Sequence, residues 1–187
     1  MKHFGNNIAR VWEALPPATR SLLQGALPAW CEKPGQGGGL SSLLNVLDQY
    51  SWPPPQQSEV RRLADACAAV LQAQIRSVEV FAQLVARAHR HHDFARLGTL
   101  AEIPAERFTA RTICELVRHP HHIVRAIGHE ALVHLPTSTL AGLLVNAKDM
   151  ALARYALERQ ALDYHSAAAQ EILYFLDDEE GECGVAE

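Results

Sequence analysis

The feature that most constrains the fold is an uninterrupted helical pattern in the middle of the chain. Apolar residues recur every three or four positions between Val60 and Val85, and residues 56–97 contain neither glycine nor proline. This spacing places the apolar side chains on one face of an α-helix. We therefore expect a helical spine here. It forms either one helix of about 30 residues, roughly 45 Å long, or two helices with a break near Ser77, where the periodicity weakens.

After Phe94 the chain is divided by three prolines, Pro104, Pro120 and Pro136. Each fits the first turn of a following helix, where the missing N–H costs nothing. The predicted helices span 105–118, 121–134, 137–147, 149–161 and 164–176, and Asp163 is the expected N-cap of the last. No segment shows the alternation of a strand, and short connections favour antiparallel helix neighbours. We expect an all-α fold.

The first part of the chain has a different character. Its short helical pieces are broken by Pro16-Pro17, by the glycine-rich stretch Gly35–Gly39 and by Pro53–Pro55. Such pieces are too short to be stable alone and must pack on something larger. The predicted organisation is a small helical appendage (1–57), a helical repeat domain (58–178) and an acidic tail (179–187).

An internal repeat runs through the C-terminal half. The histidine-rich segment His89–His92, followed by Gly98, recurs 30 residues later as His119–His122, followed by Gly128. A second segment, around Pro104, recurs with a shift of 32 residues. Small changes in the period are typical of loop insertions between stacked structural units. The repeat predicts stacked helix pairs.

The segment Leu116–Leu135 resembles a HEAT-type repeat. An apolar helix end is followed by a short turn and by Val124-Arg125. Small and aliphatic residues then follow at helical spacing, including Ala131 and Leu132. The resemblance implies a right-handed α-solenoid-like stack of antiparallel helix pairs, with a long spine helix, in which each neighbour completes the core of the last.

The resemblance covers about residues 84–176. Residues 143–162 are similar, with Ala153-Arg154 in place of Val-Arg, and the phasing of proline and leucine also resembles the leucine-rich-repeat variant group. The chain departs from the HEAT pattern at His121 and His122, where acidic and small turn residues are commoner. The resemblance implies a fold more than a function. Our first functional hypothesis is a non-enzymatic adaptor or scaffold that binds a protein or peptide.

Histidine is over-represented, with ten residues, nine of them between His89 and His165. Stacked repeats place the two histidine-rich turns at one edge, where imidazoles could converge on a zinc or nickel ion. The candidate ligands are His89, His91, His92, Asp93, His119, His121 and His122. The alternative is that turn histidines are solvated polar residues. No catalytic or cofactor-binding residue is predicted.

Two enzyme motifs are excluded by their spacing. His129 and His134 are separated by five residues, about 140° around a helix, whereas the H-E-x-x-H zinc motif needs four. The pair His92-Asp93 resembles that of the HD phosphohydrolases, but the glycine and lysine expected soon after it are absent. A metal-dependent hydrolase at the histidine-rich edge stays an alternative function.

Charge and cysteine usage limit the partners. The residues from Asp177 onward include six acidic side chains and no lysine or arginine, so the rest of the chain is nearly neutral. Nucleic-acid binding is therefore a second alternative, which requires Arg87, Arg90, Arg96, Arg118 and Arg125 on one surface. The four cysteines form no C-x-x-C pair, and no secretory signal or membrane-length apolar run is present. These features predict a cytoplasmic protein without a membrane partner, and they leave the oligomeric state open.

Overall fold

The fold is all-helical in the part of the chain that the computed structural model describes, residues 6–26, 39–49 and 54–182. No strand occurs in these residues, so the predicted all-α class is confirmed. The helices are α1 (Asn6–Ala14), α2 (Pro17–Ala26), α3 (Gly39–Gln49), α4 (Pro54–Ala73), α5 (Val78–Arg90), α6 (Phe94–Arg107), α7 (Ala110–Val117), α8 (His122–Val133), α9 (Thr137–Leu144), α10 (Met150–Asp163) and α11 (Ala167–Glu182). None of these helices is both long and apolar enough to cross a membrane.

The chain divides into two compact units, residues 1–87 and 88–187. In the N-terminal unit, α4 contacts α1, α2 and α3. The core of this unit is aliphatic, with one aromatic ring, and its fully buried members include Ile8, Leu23, Leu43, Leu63 and Phe81. The boundary predicted between residues 57 and 58 lies inside α4.

The spine consists of two helices, as the alternative with a break near Ser77 predicted. The α4 helix ends at Ala73, and α5 begins at Val78. The hydroxyl of Ser77 accepts a hydrogen bond from the Val80 N–H at 3.3 Å, which satisfies a donor that the first turn of a helix leaves open. Farther along α5, the buried Arg87 pairs with Asp65 at 2.7 Å, within the same unit.

The C-terminal unit is built from helices that contact both their sequence neighbour and the next helix but one. The α7 helix packs on α8, α9 on α10, and α10 on α11. In addition, α8 contacts α6 and α10, and α9 contacts α7 and α11. The core between them is formed by small and aliphatic residues, among them Ile113, Cys114, Leu132, Leu140 and Ala156.

Two buried polar side chains, Asp149 and Gln160, join successive helix pairs. Arg118, after α7, donates hydrogen bonds of 2.6 Å to the buried carboxylate of Asp149 and to a backbone carbonyl just before it. Gln160 on α10 donates to the backbone carbonyls of Val133 and Leu135, at 2.8 and 2.7 Å. These bonds satisfy polar groups near helix ends.

The two repeated glycines have different surroundings. A Cβ atom added to Gly128 on α8 would lie 2.7 Å from the Val117 nitrogen and 2.9 Å from two atoms of Leu116. Only glycine therefore allows α7 and α8 to approach this closely. At Gly98 on α6, an added Cβ would meet nothing within 4 Å. The 30-residue shift thus pairs two glycines that do not share a packing role.

Two of the proline and cap predictions were wrong. Pro104 does not begin a helix; it lies within the last turns of α6, and the predicted helix 105–118 is divided between α6 and α7. The break is made by Thr109, whose hydroxyl accepts from the Thr112 N–H at 3.3 Å. Asp163 ends α10 instead of capping α11, and the hydroxyl of Ser166 accepts from the first turn of α11.

Candidate functional site

The first histidine-rich turn is a compact helix-to-helix connection. At the end of α5, the His92 N–H donates to the His89 carbonyl at 3.0 Å, and the Asp93 N–H donates to the Ala88 carbonyl at 2.9 Å. His92 itself has a left-handed φ of 54°. These bonds form a Schellman motif, in which a left-handed residue ends the helix. Asp93 then caps α6 by accepting from the Arg96 N–H at 3.0 Å.

The second histidine-rich turn joins α7 to α8. His119 follows Arg118 directly, and its Nδ1 accepts a hydrogen bond from the His121 N–H at 3.1 Å. This nitrogen is therefore unprotonated in the turn, and the ring proton of a neutral His119 lies on Nε2. His121 is the N-cap residue of α8, and His122 is its first helical residue.

The two turns meet through three imidazole rings, which we call the histidine cluster: His89, His121 and His122. The ring centroid of His89 lies 6.1 Å from that of His121 and 5.7 Å from that of His122, in edge-to-face contacts. The rings of His121 and His122 are stacked, 5.1 Å apart. The expectation that the two histidine-rich segments come together at one edge is therefore confirmed for these three residues.

His121 has the most constrained environment in the histidine cluster. Its Nδ1 atom is buried and has no hydrogen-bond partner among the described residues. Desolvation by burial lowers the pKa of His121 below its ordinary value of 6.5, and repulsion from His122, His89 and His119 lowers it further. Each of these causes disfavours the charged imidazolium. Burial and the neighbouring histidines therefore both favour the neutral form of His121.

The other candidate metal ligands make other contacts or lie outside the histidine cluster. The ring of His92 faces Phe94, with centroids 6.3 Å apart, and the carboxylate of Asp93 is engaged as the cap of α6. His91 lies exposed in the first turn. In the described part of the chain, no group of three or more histidine, cysteine, aspartate or glutamate side chains is arranged to hold a metal ion. The metal site stays a prediction.

The two histidines of the excluded zinc motif, His129 and His134, contact different neighbours. His129 contacts the ring of Tyr155 edge-to-face, with centroids 5.4 Å apart. His134 instead contacts Tyr164, at 5.6 Å, and a nitrogen of its ring lies 2.8 Å from the backbone oxygen of Glu130. The two imidazoles therefore pack on different aromatic rings of the α10 region.

Several arginines that the nucleic-acid alternative requires are already engaged within the protein. Arg87 is buried in its unit and pairs with carboxylates there. Arg118 pairs with the buried Asp149. Arg125 is exposed, and its guanidinium lies 3.5 Å from the His119 carbonyl. An arginine that already pairs with a carboxylate is a poor phosphate ligand, because its positive charge is already neutralised.

Exposed apolar side chains are a second candidate feature, which the sequence analysis missed. All of the large hydrophobic residues exposed in the described chain belong to the C-terminal unit: Phe94, Val145, Met150, Tyr155, Leu162, Tyr164, Tyr174 and Phe175. Six of them lie on α10, α11 or the connection between them. A signal was present in the five consecutive apolar residues 172–176, because such a run surrounds a helix and cannot be buried on one face.

Comparisons of this chain with protein-family models, with curated proteins and with solved structures found no match.

Proposed function

We propose that this protein is a non-enzymatic interaction module of the helical-repeat type, whose C-terminal unit is a short α-solenoid that binds a protein partner. The packing of α8 on α6 and α10, and of α9 on α7 and α11, supports the solenoid. It matches the pattern expected when each helix pair contacts only its neighbours. The same pattern supports the resemblance to HEAT-type repeats.

One observation carries the proposal: the large exposed hydrophobic residues are concentrated on α10 and α11. Solitary apolar residues are common on protein surfaces, but a concentration of them marks an interaction surface. Three of the six are tyrosines, Tyr155, Tyr164 and Tyr174. Tyrosine is enriched at interfaces because it combines a large apolar surface with a polar hydroxyl.

Affinity capture with a matched variant tests this function. The bait is the full chain, and the control bait carries Tyr155→Ser, Leu162→Ser and Tyr164→Ser, with its helix content checked by circular dichroism. We expect a protein that the wild type retains in stoichiometric amount, that the variant loses, and that forms the same complex when both proteins are purified. The proposal is refuted if no protein is retained in this amount, or if both baits retain the same ones.

The convergence of His89, His121 and His122 favours one second candidate, a zinc- or nickel-binding protein. Ring rotations would have to turn imidazole nitrogens toward one point, with metal–nitrogen distances near 2.0–2.1 Å. Metal analysis of tag-free protein tests it, with His121→Asn as the variant and His129→Asn as the control. Stoichiometric zinc lost only in His121→Asn supports this candidate, and the absence of stoichiometric metal at neutral pH excludes it.

A further inference from the structure

The α11 helix has an inner and an outer face of different composition. Ala169 is fully buried, and Ile172 and Leu173 pack against the core of the C-terminal unit. On the other side, Tyr174 and Phe175 are 65% and 59% exposed. Their rings contact each other edge-to-face, with centroids 6.0 Å apart. The inner face already supplies the packing of α11, so the outward aromatic pair adds nothing to the core.

Carboxylates flank the aromatic pair on both sides. Glu171 lies three residues before Tyr174 and four before Phe175, and Asp178 lies four and three residues after them. Residues three and four apart are neighbours on a helix surface, so both carboxylates border both rings. Glu171 and Asp178 are exposed. We call these four residues the α11 outer face.

The charge on the described part of α11 and its connection to α10 has one sign. Residues 164–178 include three carboxylates, Glu171, Asp177 and Asp178, and neither lysine nor arginine. Arg154 on α10 reaches Asp177 at 2.5 Å, so it neutralises a carboxylate beside the outer face but none within it. Exposed aromatic rings bordered by carboxylates suit a segment whose apolar side chains cover the rings and whose arginines pair with the carboxylates in two parallel hydrogen bonds.

The same charges disfavour the other classes of occupant. A second copy that docked through the same face would place Glu171 and Asp178 against their equivalents, and opposed like charges are costly at an interface. Nucleic acids and anionic lipid surfaces carry negative charge and would be repelled as well. A positively charged protein segment with an apolar side is the occupant that satisfies both the rings and the carboxylates.

We propose that the α11 outer face is the docking site for a basic, amphipathic segment of a partner protein. Apolar residues of that segment cover Tyr174 and Phe175, and its arginines pair with the two flanking carboxylates. This inference rests on the proposed function, since it names the surface and the partner chemistry of the interaction module. It extends that function from a general binding role to one class of ligand.

Fluorescence anisotropy with three labelled peptides of equal length tests the inference on the full chain. The first peptide is an amphipathic helix with leucine on one face and arginine on the other; the second replaces arginine by glutamate, and the third replaces leucine by serine. We expect only the first to bind. The double variant Tyr174→Ser/Phe175→Ser should weaken this binding by at least about tenfold, as loss of a central aromatic contact does. Glu171→Gln/Asp178→Asn should weaken it and reduce its dependence on salt.

Phe94→Ser is the matched control, because Phe94 is 67% exposed but lies on α6. It should leave the affinity for the first peptide unchanged. The inference is overturned if the first peptide fails to bind, if the second or third binds equally well, or if the α11 variants bind like the wild type. It is also overturned if sedimentation shows a dimer that Tyr174→Ser/Phe175→Ser converts to a monomer. A captured protein partner whose binding is unaffected by the α11 variants would contradict this inference and leave the proposed function intact.

Discussion

Replacing Gly128 with alanine should destabilise the C-terminal unit, although alanine is the better helix former. Glycine to alanine in a helix interior gains about 1 kcal/mol from backbone propensity. At Gly128, however, the new Cβ would lie 2.7–2.9 Å from atoms of Leu116 and Val117, two of them backbone atoms, where ordinary contacts are 3.4–4 Å. The α7 and α8 helices must therefore separate by several tenths of an ångström. Overpacking of this kind costs about 1–3 kcal/mol, so we expect a net loss of about 1 kcal/mol.

Gly98→Ala provides the matched control, because Gly98 also lies within a helix and an added Cβ meets nothing there. That variant should gain about 0.5–1 kcal/mol. For a unit of about 100 residues, a change of 1 kcal/mol shifts the melting temperature by roughly 4–8 °C. Thermal unfolding followed by circular dichroism should therefore move in opposite directions for the two variants. Equal or stabilising effects at both positions would refute the close approach of α7 and α8.

Two further outcomes follow from the polar groups of the C-terminal unit. The pKa of His121 is lowered in the folded state, so the unfolded chain binds more protons at mildly acidic pH. The contribution of His121 to the free energy of unfolding is therefore fully present above the ordinary histidine pKa of about 6.5 and is lost as the pH falls below it. In metal-free buffer with a chelator, the melting temperature of the wild type should fall between pH 7 and 5, and that of His121→Asn should fall less; parallel profiles would contradict this. Arg118→Met leaves the buried Asp149 carboxylate without its cation and should cost about 3 kcal/mol in urea unfolding, whereas a second change, Asp149→Asn, should restore part of that loss. A double variant less stable than Arg118→Met would contradict the pairing.

The sequence predicted the helices best where periodicity alone decides them. The apolar spacing between Val60 and Val85 located the spine, and its weaker periodicity near Ser77 predicted the break. The structure adds that the Ser77 hydroxyl caps the next helix. Pro104 misled the prediction, because it lies inside α6 and is buried there, not in the first turn of a helix. The cap at Thr109 was the better signal, and it was available in the sequence.

The sequence predicted where the candidate site lies but not which residues form it. The 30-residue repeat indicated that the two histidine-rich turns lie at one edge, and His89, His121 and His122 do meet there. Which imidazoles meet depends on the backbone of each turn, and sequence spacing does not encode it. The left-handed conformation of His92 directs its ring to Phe94 instead. The exposed aromatics of α11 were missed because a predicted helix does not by itself show which of its faces stays exposed.

The left-handed turn at His92 gives part of the histidine abundance a backbone explanation. Among residues other than glycine, histidine is one of the few enriched at positive φ. His165, in the connection after α10, has the same conformation, with φ of 51°. At these two positions the backbone requires a residue that tolerates positive φ, and glycine or asparagine would also meet this requirement. Among the described histidines, His92 and His165 thus serve the backbone of helix ends, and they are distinct from the three whose rings contact one another.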